Sequence, residues 1–284
     1  NLTNDYEALI DLSSELSKLD SPVSTSNNNL IEEGFSGTVS PLLKTNNLET
    51  TLTFGSNSLP VQSFFRSSID SAVDLSDFET SYLKSEEGGL GLSANYELEN
   101  ARLIIGVSNP VKHNNYSDSI IGSQQSIIAS LEYGDLSDTS ITLMSGITQE
   151  KDNLLGLQGS DAFSTVGAKS NTVFSALKAQ SNLNDNLTLT GIATLANTNM
   201  NQPELSFIDS ANNVRSSSLA LVASQKNITG DDHLSLSVSQ PDRIHGGEMS
   251  IRMSDLAQSN GDISYRNKNI ELKATGRQLV YGLS

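Results

Sequence analysis

The chain predicts an all-β fold, an antiparallel meander of hairpins forming a packed sandwich or barrel with one short N-terminal helix. Three observations carry this. Leu, Ile and Val alternate with Ser, Thr, Ala and Gly at a period of two through the C-terminal half. Clusters of Gly, Asn and Asp separate the alternating runs and supply turns. Helical spacing is convincing only near the start. The clearest run is Asp231 to Gly246, DDHLSLSVSQPDRIHG, where Leu and Val alternate with Ser before Gln-Pro-x-Arg. Pro241, lacking an N–H, is expected to stop that strand.

Element by element, Asp5 to Leu19 reads as a helix, with Leu9, Leu12, Leu16 and Leu19 three and four apart and Thr3 or Asn4 as cap. Its leucine stripe is expected to dock on the chain's own β domain; a linker helix or a partner-binding stripe are the alternatives. Ser21 to Asn29, SPVSTSNNN, reads as a linker. The expected organisation is therefore a helix and linker over 1–29 and a β-rich domain over 30–284, with a sub-boundary near 110–125. Strands are expected at Glu49 to Phe54, Leu90 to Leu98 and Arg102 to Val107, and a second short helix from Phe64-Phe65 to Leu75. Ile104 to Pro110 echoes Val238 to Pro241, each a strand ended by a polar residue and Pro, a hint of duplication that a single echo does not establish.

From Ser126 onward the pattern is a series of hairpins. Ser126 to Tyr133 should pair with Thr139 to Thr148, Thr172 to Gln180 with Leu187 to Leu195, and Ser217 to Gln225 with His233 to Gln240. Glu248 to Met253, Asp262 to Asn267 and Asn269 to Ala274 continue the series. Each strand places aliphatic residues on one side: Ile141/Leu143, Leu187/Leu189, Leu219/Leu221, Leu234/Leu236/Val238, Ile270/Leu272. A sheet of this kind must hide one face. The expectation is that protein hides it, in a soluble packed domain. Lipid is the alternative: Thr172 to Ser181 and Leu187 to Ala196 reach the ~9–11 residues of a spanning strand. Against lipid stand the absence of Trp, the scattered Phe and Tyr, and the shortness of Glu248 to Met253.

Ordered blocks over residues 141–284 resemble the C-terminal, non-peptidase region of secreted, autotransporter-like subtilisin-family serine peptidases of alphaproteobacteria. They are Ile141 to Phe163 (ITLMSGITQEKDNLLGLQGSDAF), Arg215-Ser216-Ser217-Ser218 before a strand, Gly230-Asp231-Asp232 opening the next, Ser239 to Arg243 closing it before Gly246-Gly247, and Leu272 to Leu279, with Gln278 where the family has Glu. The resemblance implies a non-catalytic, exported segment of a subtilase-like precursor, acting as a secretion or folding appendage or a surface module. An outer-membrane translocator barrel and a self-assembling filament or matrix subunit are the alternatives. The peptidase motifs Asp-x-Gly, His-Gly-x-His and Gly-Thr-Ser-Met-Ala do not occur in this chain.

No catalytic, cofactor-binding or metal residue is assigned. His113, His233 and His245 lack a nucleophile on a sharp turn and a carboxylate to orient the base. His245-Gly246-Gly247 is superficially like an oxyanion loop but reads as loop glycines, and Asp231-Asp232-His233 as a hairpin turn. The net charge is −16, with 21 acids against 6 bases over residues 1–150 and 12 against 11 over 151–284. Such a balance disfavours nucleic acid and anionic lipid heads, and no polybasic run offsets it. A solvated acidic face is the plain reading; calcium is the sharper one, though no Asp-x-Asp-x-Asp-Gly loop or glycine-aspartate nonapeptide is present. Zero cysteines exclude disulfides and thiolate chemistry. The four Asn-x-Ser/Thr sequons, at Asn1, Asn115, Asn186 and Asn227, are chance products of a composition rich in Asn, Ser and Thr. Because Asn1 is not an initiator Met, a processed or truncated piece of a longer precursor is expected, its export signal upstream. Expected partners are an upstream peptidase domain of the same precursor or other copies of the chain, with membrane association open. The expected location is extracellular or the outer cell surface, the outer membrane being the alternative.

Overall fold

The computed structural model describes residues 37–54, 59–65, 75, 78, 80, 82–83, 89–110, 123–135, 138–152, 154, 163–201, 203, 206–228, 230, 232–257 and 263–283. The helix expected over Asp5 to Leu19 and the linker after it lie outside these residues, as does His113. The described chain is an all-β antiparallel meander, as the sequence predicts. Its strands are β1 (Gly37–Lys44), β2 (Leu48–Phe54), β3 (Gly89–Glu97), β4 (Ala101–Pro110), β5 (Ser123–Asp135), β6 (Thr139–Lys151), β7 (Lys169–Asn184), β8 (Leu187–Met200), β9 (Ile208–Lys226), β10 (His233–Ala257), β11 (Ile263–Glu271) and β12 (Val280–Leu283). One helix, α1 (Leu59–Phe65), lies between β2 and β3. Of the second helix expected from Phe64-Phe65 to Leu75, Phe64 and Phe65 are the last residues of α1, and residues 66–74 lie outside the described residues.

All twelve strands belong to one sheet, each of β1 to β10 bonded to the next in sequence order, with β12 returning to pair with β10. β11 and β12 share the same side of β10: β11 pairs over Glu248 to Ala257 and β12 over Leu236 to Ser239. Among the described residues no pairing joins β1 to β11 or β12. The stretch 111–122, where a sub-boundary was expected, separates two strands that pair directly, Ala101↔Tyr133 through Ser108↔Ser126.

Strands run longer than their alternation announces. β10 has 25 residues and absorbs both His233 to Gln240 and Glu248 to Met253. Pro241 does not end it. The proline sits instead in a register shift between Gln240 and Arg243, a bulge where its missing N–H removes no ladder bond. Similarly, Arg215-Ser216-Ser217-Ser218 lies within β9 rather than ahead of a strand, and the two short strands expected at Asp262 to Asn267 and Asn269 to Ala274 merge into β11.

The segment carrying α1 and Tyr82 lies across one face of the sheet from β3 to β8, a width of about 24 Å at about 4.8 Å per strand. α1 packs on β3, β4, β5 and β6; Ser63 accepts from Lys178 of β7; the Tyr82 ring lies 5.7 Å from that of Phe174 on β7. Gln124 of β5 donates to the Tyr82 carbonyl, and Thr194 of β8 lies beside its hydroxyl. The core gathers Val61, Phe64, Phe65, Leu75 and Tyr82 against inward residues of β5 to β10.

Candidate functional site: an aliphatic outer face and a filled polar interior

The burial of the two faces is the reverse of the sequence expectation. On β6 the exposed residues are Thr139, Ile141, Leu143, Ser145 and Ile147, and the buried ones Ser140, Thr142, Met144 and Thr148. β5, β7, β8 and β9 repeat the arrangement. Ile127 is 63% exposed, Val173 56% and Leu195 65%, whereas Thr148, Thr172 and Lys178 are at 0%. Alternation defines two faces but does not say which one turns inward. Here the segment around α1 fills the side bearing Ser, Thr, Ala and a few large apolar residues, so the aliphatic side remains outside.

The outer aliphatics form a continuous belt, because antiparallel register sets them side by side. Val107 faces Ile127, Ile127 faces Ile147, and Ile147 faces Val173. Leu131 faces Leu143, which faces Leu177; further on, Leu221 faces Val238. From Ile141 to Ile147 the belt rises about 20 Å along the strand at ~3.3 Å per residue. Exposed Tyr96 and Tyr133 stand close to the tight turns at one end of it.

Inside, hydroxyls pair across strands: Ser126 with Thr148 at 3.0 Å and Thr172 with Thr198 at 2.8 Å, while Ser170 donates to Glu150 at 3.1 Å. Lys178, fully buried, places Nζ 3.3 Å from the Ser63 carbonyl and 5.7 Å from the centroid of the Phe64 ring. These contacts satisfy a charge that would otherwise be costly to bury. Glu132, also facing inward, lies 3.8 Å from Arg102. Burial pushes the Tyr82 phenol above its ordinary pKa, so the ring is a neutral anchor for the segment that fills the interior.

Gly106 lies where α1 comes close against the sheet. A Cβ there would lie 2.6 Å from Pro60 Cδ. Gly106→Leu is therefore expected to push α1 off β4 at a cost of about 1–3 kcal/mol. Limited proteolysis should show faster cleavage around α1 while the β signal in circular dichroism holds; unchanged protection would contradict the packing.

The sequence-singled histidines do not assemble a catalytic group. His233 opens β10 after a turn closed by Asn227 N–H to the Asp232 carbonyl, and bonds Ser224. His245 bonds Ser217 on the outer face. His245-Gly246-Gly247 is not a loop but the middle of β10, where register shifts bracket Gly246. Gly247 has φ 133° and its Cβ position lies 2.7 Å from Val214 Cα, so the bulge requires glycine. Among the described residues no cluster of three or more His, Asp or Glu is arranged to hold a metal ion, and no helix is long and apolar enough to cross a membrane.

No family model, curated protein or solved structure matches the chain.

Proposed function

We propose that the chain is the membrane-embedded translocator sheet of an autotransporter-like exported precursor, a β-barrel component of the outer membrane whose lumen is filled by α1, Leu75, Tyr82 and Leu83. The observation that carries this reading is the exposed aliphatic belt backed by a buried hydroxyl-rich face. Contiguous apolar surface of this kind is uncommon on soluble monomers; against acyl chains it is the outward half of the alternation that spanning barrels use. Short turns at one end and longer connections at the other fit the same architecture. The resemblance of residues 141–284 to secreted subtilases supplies the export context and the partner, an upstream peptidase domain of the same precursor. The reading gives the chain no catalytic role and no cofactor.

The soluble appendage expected from sequence needs the aliphatic face covered by protein, and the belt weighs against it. Fractionation tests the choice. The chain is expected to require detergent for monodispersity and to migrate differently on gels before and after heating. A monodisperse species in plain buffer would overturn the proposal, and concentration-dependent fibres would favour edge-to-edge assembly through β1 and β11.

A further inference from the structure

The outward residues of two neighbouring strands follow a graded order toward the end with longer connections. On β6 the sequence is Ile147, Gln149, Lys151, and on β7, read the same way, Val173, Asn171, Lys169. Each passes from aliphatic through an amide to a cation. Lys151 and Lys169 stand directly opposite one another in the β6–β7 register, an unfavourable juxtaposition of like charges unless an anion lies between them. Arg215 of β9 stands nearer the belt, level in register with Asn197, Val173 and Ile147. At the opposite end the exposed charges are mainly acidic: Glu97, Glu99, Asp138, Asp185 and Asp232, with Lys44.

We propose that the facing Lys151 and Lys169 form a lipid-phosphate rim that holds the anionic headgroups of the leaflet facing the longer connections. This rests on the translocator reading and adds a ligand to it. The order aliphatic, amide, cation matches the order met on leaving a bilayer: acyl chain, ester, phosphate. Lysine stems lie along the apolar edge while their ammonium groups reach the phosphate. The acidic end would repel the same lipids, so the preference is one-sided.

The test folds the full chain into vesicles of phosphatidylcholine alone and of phosphatidylcholine mixed with phosphatidylglycerol, and compares resistance to denaturant and lipids retained in native mass spectrometry. The expected result is a salt-sensitive gain with phosphatidylglycerol that falls about fivefold per cation removed by Lys151→Gln and then Lys169→Gln. Folding in phosphatidylcholine alone should be unchanged across that series. Asp138→Asn with Asp185→Asn should leave the gain intact. Insertion without any preference, or a preference that survives the double substitution, overturns the rim while leaving the barrel standing; failure to insert into either vesicle overturns both.

Discussion

Leu143→Arg should destabilise the folded chain in lipid by about 2–4 kcal/mol, the depth-dependent cost of a cation on the acyl-facing side of a barrel strand. Leu143 is 49% exposed and sits mid-belt between Leu131 and Leu177. On a water-facing surface the same exchange would fall within about 0.5 kcal/mol. The measurement is denaturant unfolding in vesicles, with Lys151→Arg beyond the belt edge as a neutral reference. Equal midpoints for Leu143→Arg and the parent would mean that water, not lipid, meets this face.

Phe64→Ala should cost about 3–5 kcal/mol, the range for removing a fully buried aromatic ring. Phe64 is 0% exposed, packs edge-on against Phe65 with centroids 5.1 Å apart, and lies beneath Lys178 Nζ. Its loss opens a cavity and strips the π face from a buried ammonium, so Phe64→Leu, which keeps most of the volume, should recover the larger part of the stability. In planar bilayers the alanine variant is also expected to conduct more than the parent, because α1 fills the interior. Parent-like stability and conductance would show that α1 does not hold that position.

Strand identity and order were legible because alternation and turn chemistry are local. Leu187/Leu189 and Leu219/Leu221 announce β8 and β9, and Asn227 to Asp232 announces the turn between β9 and β10. Handedness of burial was not. A period of two divides Leu143 from Thr142 without naming the solvent on either side, and the usual assumption that aliphatics go inward fails when another segment fills the polar side. Strand length was also under-read, since Pro241 and Gly246-Gly247 look like stops but are absorbed as bulges in β10. The charge rim was invisible for a different reason. Lys151 and Lys169 are far enough apart in sequence to leave no basic run, and only the β6–β7 register sets them face to face. Tyr96 and Tyr133 are likewise distant in the chain, and only the pairing of β3, β4 and β5 sets both at the tight-turn end.

The direction of the two outermost strands has a mechanical consequence. β1 and the β11–β12 pair are separated by an even number of antiparallel steps and therefore point the same way. A seam made by bringing them together directly would be the sole parallel ladder in the wall, with slanted bonds weaker per residue than those on either side. A cylinder zipped in that manner would unzip laterally there first; an extra antiparallel stave between the two margins would abolish the weak line.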